Sequence, residues 1–446
     1  MIENVFVNRT LNMKKIKYIG LDMDHTLIRY HTQNFETLVY QYVIDELITH
    51  QGYPEVLRTL VFDMLRAIRG LVVDCKRGNI LKLNRYGAIR TSQHGIRHLD
   101  MKEQKSIYQS TYVDLNDTNY IAIDTSFSIA FCVLYGQLVD LKDRDVVSMP
   151  GFYVMAHDVL NAVDTVHAAG HLKKYISEHL EDFVQPDPNL VLYLHKYREQ
   201  GKKIFIITNS DYEYTKILLD HAINPYLSAG TSWTSLFEYV ITSSNKPRFF
   251  YDNLSFLKIN PQDHTLSNIR GTIKPGVYQG GNATQFTKNL SLYGDEILYI
   301  GDHIYGDILR LKKACNWRTA LVVEDLAQEL QAQQQTKSIE TELASAMQKK
   351  KILEKNLLHA ASDPEESRNS LIRLDQSIVK LLQEKNAYYN PYWGSVFRAG
   401  AEETFFTYQV ERYACIYMDR LSDLFAHSPM EYYRAERKRL PHDFVV

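Results

Sequence analysis

The chain has 446 residues, 45% of them hydrophobic, which is too long for one simple core and predicts about two to three domains. Lys and Arg number 51 against 53 Asp and Glu, so the net charge of -2 gives no basic field to hold a nucleic acid, and that class of partner is disfavoured. The N-terminus lacks the apolar stretch of a secretory signal, and no run is long enough for a membrane span. We therefore expect a soluble cytoplasmic protein that does not bind membranes.

Three short apolar runs predict buried strands, because each leads into small polar residues and then a helical pattern. They are IKYIGLDMD (16–24), KKIFIITNSD (202–211) and EILYIGDHIYGD (296–307). Runs that are apolar on both faces and are followed by helices are typical of a parallel sheet covered on both sides. The sequence therefore predicts an α/β fold with a doubly wound parallel sheet, whose ligand site lies at the strand ends.

A long segment rich in aromatic and apolar residues separates the first run from the second, and it is too apolar for a linker. Residues 35–195 are predicted to fold as a mainly helical cap, with a small hairpin in GLVVDCKRGNILKLNRYGAI (70–89). The core then consists of residues 1–34 and 196–330.

The segment RTALVVEDL (318–326) is predicted to be the final strand, and a hairpin arm of two amphipathic helices follows it over 331–390. Its apolar residues recur at steps of three and four: Ile339, Leu343, Met347, then Leu371, Leu374, Ile378 and Leu381. Between the helices, Asp363 can cap the second one and Pro364 can take its first position. The arm either serves oligomerisation or is a solvated pair packed on its own core. Residues 391–446 are predicted to pack on the core as a possible oligomer interface.

Acidic and small polar side chains follow each of the three predicted strands. They are Asp22 and Asp24 after the first, Thr208, Asn209 and Ser210 after the second, and Asp302 and Asp307 after the third. Because the carboxyl ends of parallel strands share one edge, we expect these side chains to converge. Like charges are costly to bury together unless a cation or a hydrogen-bond donor lies between them. The sequence therefore predicts a bound cation at this edge.

These residue types suit the transfer of a phosphoryl group. Several carboxylates form the hard oxygen site that Mg²⁺ prefers. Residues 208–210 precede a helical pattern whose N-terminus can hold phosphate oxygens, and Lys246 adds a positive charge. Asp22 and Asp24 are two residues apart and face the same way in an extended segment, so one can attack phosphorus while the other transfers protons.

The motifs in order resemble the haloacid dehalogenase superfamily. DMDHTL is similar to its DxDxT signature, and ITNSD, Lys246 and GDHIYGD stand where its other three motifs belong. Within that superfamily, YIGLDMDHTL, TNSDYEYT, KPRFF, ILYIGDHIYGDILRLKK and GSVFRAG resemble the cytosolic purine 5'-nucleotidases that prefer IMP and GMP. The resemblance runs from about residue 16 to the C-terminus. It implies a haloacid dehalogenase-like core with a large C1-type cap.

The resemblance also implies a Mg²⁺-dependent 5'-nucleotidase that acts on IMP, GMP and their deoxy forms through an aspartyl phosphate. Asp22 would be the nucleophile and Asp24 the general acid and base. Mg²⁺ would bind the Asp22 carboxylate, the Asp24 backbone carbonyl and the Asp302 carboxylate. Asp307 would support these ligands without contacting the ion directly, or would contact it through water. The implied phosphate-binding residues are Thr208, Asn209, Ser210 and Lys246.

In the cap, NAVDTVHAAGHLKK (161–174) resembles the family's base-recognition helix. Phe127 matches the position of an aromatic residue that stacks on the base. The other implied base contacts are Asn161, Asp164, His167 and Lys173. The family commonly has an arginine where this chain has Asn161, so that contact, and the base preference among purines, can differ.

The resemblance further implies transfer of the phosphoryl group to nucleoside acceptors and regulation by a nucleotide effector of the ATP or GTP type. Tyr305 stands where an aromatic residue stacks on the effector. The implied assembly is a homotetramer or a dimer of dimers.

Simpler roles compete with these assignments. Asp307 can cap the helix that follows it, Lys246 can lie in a solvated turn, and His167 and Phe127 can be packing residues of the cap. At the level of function, one alternative is a sugar-phosphate or other small-molecule phosphatase of the same superfamily. The other is a nucleotide-sensing scaffold without catalysis. Activity on a panel of monophosphates would distinguish a nucleotidase from the first alternative. Release of phosphate with added Mg²⁺ would distinguish an enzyme from the second.

Overall fold

The structure is a computed structural model that describes residues 4–109, 112–145, 147–168, 170–269, 271–358, 364–438, 440 and 443. Its strands are β1 (Val5–Val7), β2 (Leu11–Asn12), β3 (Tyr18–Leu21), β4 (Arg29–Tyr30), β5 (Leu71–Asp74), β6 (Asn79–Leu83), β7 (Ile89–His94), β8 (Arg97–His98), β9 (Tyr120–Ala122), β10 (Val184–Gln185), β11 (Lys203–Ile207), β12 (Tyr239–Thr242), β13 (Phe256–Ile259), β14 (Leu266–Asn268), β15 (Gly276–Gly280), β16 (Ile297–Gly301), β17 (Arg318–Val322), β18 (Arg398–Ala399), β19 (Glu402–Glu403), β20 (Ile416–Met418) and β21 (Tyr432–Tyr433). Its α-helices are α1 (Thr32–Gln51), α2 (Met101–Tyr108), α3 (Ile129–Asp143), α4 (Phe152–Ala168), α5 (Gly170–Glu178), α6 (Leu180–Phe183), α7 (Pro188–Glu199), α8 (Tyr212–Ala222), α9 (Arg248–Tyr251), α10 (Ala283–Leu290), α11 (Arg310–Ala314), α12 (Leu326–Leu358), α13 (Pro364–Asn386), α14 (Phe405–Tyr413) and α15 (Leu421–Phe425).

A ten-stranded sheet forms the core, in the order β1-β20-β17-β16-β3-β11-β12-β15-β13-β14. The seven neighbouring strands from β20 to β15 run parallel, and antiparallel pairs extend both edges. The three predicted runs are the adjacent strands β3, β11 and β16 at the centre. The predicted α/β class with a parallel sheet is therefore confirmed.

The central strands are apolar on both faces because each face supports a separate core. In β11, Ile204 and Ile206 pack into one apolar cluster while Phe205 and Ile207 pack into another. In β3, a Cβ on Gly20 would collide with the ring of Phe205, so glycine lets the large aromatic residue cross the strand. The sheet is thus covered on both sides, as the continuous apolar runs predict.

The C-terminal segment contributes a strand to this sheet. β20 pairs parallel with β17, with Ala320 opposite Ile416, and β1 pairs antiparallel with β20. The prediction that 318–326 is the final strand is therefore wrong. β20 has only three residues, too few for a periodic pattern to reveal it.

The cap combines helices with a second sheet. The helices α1, α3 and α4 pack together through buried apolar residues. Beside them lies a five-stranded sheet in the order β8-β7-β6-β5-β9. The hairpin predicted at 70–89 is part of this sheet, which is larger because β9 pairs antiparallel with β5 from a distant part of the chain. A local sequence pattern cannot predict such a pairing.

Two short strands connect the core to the cap. The chain leaves the core through β4 and returns through β10, and these pair antiparallel with Tyr30 opposite Val184. Helix α7 follows and crosses the predicted boundary between 195 and 196. Because α7 packs against β11 and α15, it lies on the core side of this connection.

The predicted arm corresponds to α12 and α13, which pack side by side. Ion pairs Lys350–Asp375 (2.6 Å) and Lys385–Glu340 (2.8 Å) join the two helices in antiparallel order. Ala346 is buried and Met347 is half exposed, so Met347 lies outside the predicted apolar stripe. The predicted capping residue Asp363 lies outside the described residues.

In the part of the chain that the structure covers, no helix is long and apolar enough to cross a membrane.

Candidate active site

Three carboxylates meet at the carboxyl ends of two central strands. Asp22 follows β3, Asp302 follows β16, and Asp307 lies in the π-helical turn Ile304–Leu309. All three residues are buried, and their candidate ligand oxygens lie within 4.8 Å of one another. A Cβ on Gly301 would collide with the Asp307 carboxylate, so glycine at the end of β16 makes room for the third acid.

Lys246 lies between two of these carboxylates. Its Nζ is 2.7 Å from Asp22 Oδ1 and 2.8 Å from Asp307 Oδ1, and it donates to the Tyr299 hydroxyl at 3.1 Å. The side chain of Asn209 fixes the lysine backbone: its Oδ1 accepts from Lys246 N at 2.6 Å, and its Nδ2 donates to Lys246 O at 3.1 Å. Asn209 therefore supports Lys246 in addition to lining the cavity beside it.

The acidic cluster holds three carboxylates against the ammonium of Lys246. Burial raises the pKa of Asp22 well above its usual range, opposed by Lys246 and increased further by Asp307 and Asp302. Burial also raises the pKa of Asp302 to about 6. Burial acts to lower the pKa of Lys246, but the charges of Asp22 and Asp307 outweigh it and raise that pKa, so the ammonium stays charged.

The donor set of this cluster fits a hard divalent cation. Asp302 Oδ2 is buried and has no hydrogen-bond partner among the residues that the structure describes. A buried, unpaired carboxylate oxygen is costly unless a cation binds it. Oxygen ligands of this kind suit Mg²⁺ better than they suit softer metals.

Asp24 receives a hydrogen bond on each carboxylate oxygen. The Tyr30 hydroxyl donates to Oδ1 at 2.6 Å, and the Ser210 hydroxyl donates to Oδ2 at 2.8 Å. Tyr30 was not among the sites that the sequence predicts. A tyrosine six positions after the DxD aspartate carries no sequence signal for this contact.

The loop after β11 brings Thr208 and Ser210 close to the acids. Thr208 is buried, and its hydroxyl accepts from Ser210 N at 3.0 Å. The loop leads into α8, where the side chain of Asp211 accepts from Tyr214 N at 2.9 Å. The expectation that the N-terminus of this helix holds phosphate is therefore too simple, because a carboxylate already caps it.

A cavity of about 450 Å³ separates the core from the cap. The core contributes Asp24, Asn209 and Ser210 to its wall, and the cap contributes Phe127 and the side chains of α4 and α5. Phe127 contacts the His167 ring edge to face, with centroids 5.1 Å apart. The cavity thus has a polar end at Asp24 and Ser210, and an aromatic end in the cap.

Three predicted base contacts line the cap end of this cavity. Burial lowers the pKa of His167 to about 4, so the imidazole is neutral, and its buried Nε2 has no hydrogen-bond partner within the described ranges. Burial raises the pKa of Asp164. Lys173 forms an ion pair with Asp211 of the core, 2.6 Å apart, and its Nζ lies 5.5 Å from the centre of the Tyr214 ring.

Asn161 does not line the cavity, in contrast to the prediction. The α4 residues that do are Leu160, Val163, Asp164 and His167. Their spacing of three and four places them on one face of the helix, and Asn161 is exposed on another. Next to Asn161, the residue that faces the cavity is Leu160, whose side chain offers no polar contact.

Tyr305 lies outside the cavity and is 39% exposed. Its hydroxyl accepts a hydrogen bond from Arg310 Nε at 3.0 Å, and the Arg310 guanidinium lies 4.9 Å from the ring centre. The tyrosine is thus a surface aromatic residue next to a cation.

Arg69 of the cap contacts the loop that carries Asp302. Like Tyr30, it was not predicted as a site residue from the sequence. It is buried, donates to the backbone carbonyl of Asp302 at 3.4 Å and to the Ser126 hydroxyl at 2.9 Å, and lies 3.1 Å from Asp325. Ser126 precedes Phe127, so the arginine links the loop of Asp302 to the cap segment that carries Phe127.

Comparisons with known proteins identify the family to which the chain is similar. A model of the 5' nucleotidase family matches residues 5–445. A 5'-nucleotidase domain-containing protein of Dictyostelium discoideum is 27% identical over 455 residues, covering 100% of this chain and 75% of that protein. A predicted phosphoglycolate phosphatase from Haemophilus somnus 129PT is 13% identical with a TM-score of 0.29, covering 69% of this chain and 86% of that one. The HAD-hydrolase YfnB from Bacillus subtilis, in a structure bound to magnesium, is 12% identical with a TM-score of 0.24. The match covers 70% of this chain and 90% of that one.

Proposed function

Since the chain belongs to the 5' nucleotidase family, we propose that it hydrolyses purine nucleoside 5'-monophosphates, namely IMP, GMP and their deoxy forms. The observation that carries this proposal is the single cavity that runs from Asp24 and Ser210 to the aromatic residues of the cap. A phosphate ester suits the polar end, and a planar base suits the aromatic end.

At the polar end, Asp22 attacks the phosphorus and the bond to the 5' oxygen breaks. Asp24 gives its proton to that leaving oxygen, which releases the nucleoside and leaves phosphate on Asp22. Asp24 then takes a proton from water as the water attacks phosphorus, which releases inorganic phosphate and restores Asp22. Lys246, 2.7 Å from Asp22, supports this chemistry with its positive charge, and Thr208, Asn209 and Ser210 hold the phosphate oxygens.

Mg²⁺ is the proposed cofactor. The Asp22 and Asp302 carboxylates and the Asp24 backbone carbonyl would hold it, with support from Asp307. When bound, it supplies positive charge that offsets the phosphate dianion.

At the aromatic end, Phe127 is proposed to stack on the base. The neutral imidazole of His167 can donate to or accept from a ring atom or exocyclic group, and Asp164 can accept from a base N–H. Lys173 reaches the base only if its ion pair with Asp211 opens. Because Leu160 occupies the cavity-facing position of α4, we expect base selection to depend mainly on Asp164 and His167.

Replacing Phe127 with alanine tests the stacking. Base stacking on an aromatic side chain is worth about 1–3 kcal/mol, so the KM for IMP and GMP should rise about 5-fold to 150-fold. Hydrolysis of 4-nitrophenyl phosphate, which has no purine, should change much less. Steady-state kinetics with both substrates checks this result, and equal losses on both would count against a stacking role.

Replacing Asp302 with asparagine tests the metal site. The concentration of Mg²⁺ that gives half-maximal activity should rise about 10-fold to 100-fold, because a neutral amide is a weaker ligand than a carboxylate. Titrating activity against free Mg²⁺ measures this shift. An unchanged requirement in a folded variant would remove Asp302 from the ligand set.

A steady-state screen with Mg²⁺ decides the substrate class. It compares purine and pyrimidine 5'-monophosphates with sugar phosphates, and we expect the highest kcat/KM for IMP or GMP. A preference for sugar phosphates would favour the other phosphatase of this superfamily. No phosphate release from any of these esters would favour a nucleotide-sensing scaffold.

We further propose nucleoside phosphotransfer, activation by a nucleotide of the ATP or GTP type, and assembly as a homotetramer or dimer of dimers. Exposed Tyr305 beside Arg310 suits stacking and phosphate contact with an effector. Half-exposed apolar residues of the arm, such as Met347 and Val379, suit contact with another copy. Repeating the screen with ATP, GTP and added inosine, and measuring the mass in solution, tests these three points.

A further inference from the structure

Tyr30 lies where the core and the cap join. It belongs to β4, which pairs with β10, so the residue is part of the two-strand connection through which the chain enters and leaves the cap. The side chain is 3% exposed, and its ring packs against His25 of the core loop (5.0 Å) and Phe35 of the cap helix α1 (4.9 Å). The ring is therefore held from both sides.

The hydroxyl of this buried ring reaches the carboxylate of Asp24. The distance of 2.6 Å from Tyr30 Oη to Asp24 Oδ1 is typical of a charge-assisted O–H···O bond. The Tyr214 hydroxyl lies 3.4 Å from the Tyr30 hydroxyl. The Ser210 hydroxyl donates to the other carboxylate oxygen of Asp24, Oδ2, at 2.8 Å. Both carboxylate oxygens thus have donors, one from a rigid aromatic residue and one from a loop at the cavity wall.

The two donors differ in what a substrate does to them. Ser210 lines the cavity in the loop proposed to hold phosphate, so a bound phosphate competes for its hydroxyl. Tyr30 also lines the cavity, but its ring is buried and fixed between His25 and Phe35, so its bond to Oδ1 persists. Oδ2 is then the oxygen that carries the transferable proton, and its direction is set by the bond at Oδ1.

We infer that Tyr30 is a positioning residue for the proton transfer that Asp24 makes to the leaving oxygen. The inference rests on the proposed phosphatase chemistry. In the first half-reaction, the P–O bond to the 5' oxygen breaks, the proton on Asp24 Oδ2 moves to that oxygen, and Tyr30 keeps its own proton. Without the hydroxyl, the carboxyl group turns about its side-chain bond and presents the proton in the correct direction for a smaller fraction of the time.

A comparison of leaving groups under single-turnover conditions tests this role. With enzyme in excess and Mg²⁺ present, release of inosine from IMP and of 4-nitrophenolate from 4-nitrophenyl phosphate both report the first half-reaction. Nitrophenolate needs little protonation to leave, whereas the alkoxide of a nucleoside needs it fully. In Tyr30→Phe, inosine release should slow about 100-fold, and nitrophenolate release should stay within about threefold of the wild type.

The matched control is Tyr53→Phe. Tyr53 is also buried and donates to a carboxylate, Asp158 Oδ2, at 2.8 Å, but this pair lies in the cap outside the cavity wall. Both release rates of this control should equal those of the wild type. Tyr30→Met, which fills the same apolar site without a hydroxyl, should repeat the split between the two leaving groups if the phenylalanine variant does not fold.

The outcomes separate the inference from the proposed function. A wild-type enzyme that releases neither product contradicts the phosphatase chemistry and the role of Tyr30 together. A wild-type enzyme that releases both, with Tyr30 variants that slow both equally or neither, contradicts only the role of Tyr30. A substrate-specific split confined to the Tyr30 variants supports it.

Discussion

Asp22→Asn is expected to lower kcat by at least about 10⁴-fold, because an amide has no anionic oxygen to attack phosphorus. The substitution keeps the shape of the side chain, and it removes one negative charge from a cluster where burial raises the pKa of this carboxyl group. Loss of that charge should therefore leave the free energy of unfolding in the absence of Mg²⁺ unchanged or increased. Steady-state kinetics and thermal unfolding measure the two effects.

A chemical quench completes the test of Asp22. Wild-type enzyme stopped with acid during turnover of a ³²P-labelled nucleotide should retain labelled phosphate on the protein, and the asparagine variant should retain none. Appreciable hydrolysis of IMP or GMP by the variant would assign the nucleophile to another residue.

Lys246→Met is expected to produce the second large effect, on stability as well as on activity. The lysine side chain is 4% exposed and lies within 2.8 Å of the Asp22 and Asp307 carboxylates. Removing one partner of a buried ion pair leaves uncompensated charge and costs about 3–5 kcal/mol. The free energy of unfolding measured in EDTA should fall by about that amount, and kcat should fall about 10²-fold to 10³-fold.

Mg²⁺ provides the internal check on Lys246. A cation bound to the folded state alone restores positive charge and stabilises it by mass action, so saturating Mg²⁺ should recover part of the lost stability. The matched control is Lys350→Met, because Lys350 pairs with Asp375 at 2.6 Å on the exposed arm. Exposed ion pairs contribute little to stability, so the control should change the free energy of unfolding very little. Equal effects of both substitutions would mean that Lys246 is not the main counter-charge of the cluster.

The central strands could be predicted from the sequence because their physical cause is local. A strand buried on both faces needs a continuous apolar run, and the carboxyl ends of parallel strands share an edge, so Asp22 and Asp302 could be placed together although they are far apart in the chain. The pairing of β9 with β5 and the addition of β20 to the edge depend on contacts between distant segments. Short strands of this kind leave no periodic pattern to detect.

The side chains around the acids were harder to predict, for a related reason. Tyr30 and Arg69 act through single hydrogen bonds whose partners are set by the packing of the cap on the core. On α4, the resemblance assigned a base contact to Asn161, but the cavity is lined by the neighbouring Leu160. One residue changes the direction of a helical side chain by about 100°, so the two side chains lie on different faces. The resemblance identified the helix, but only the structure shows which of its side chains face the cavity.

The pairing of β1 with β20 has a consequence for how the protein is made. A ribosome adds residues in order from the N-terminus, so Val5–Val7 emerge several hundred residues before their partners Ile416–Met418. In nascent chains that end before Ile416–Met418, β17 is an edge strand because its parallel neighbour β20 is missing. Unpaired edge strands of this kind are sites of aggregation, so the newly synthesised polypeptide is exposed to this hazard until β20 has left the exit tunnel.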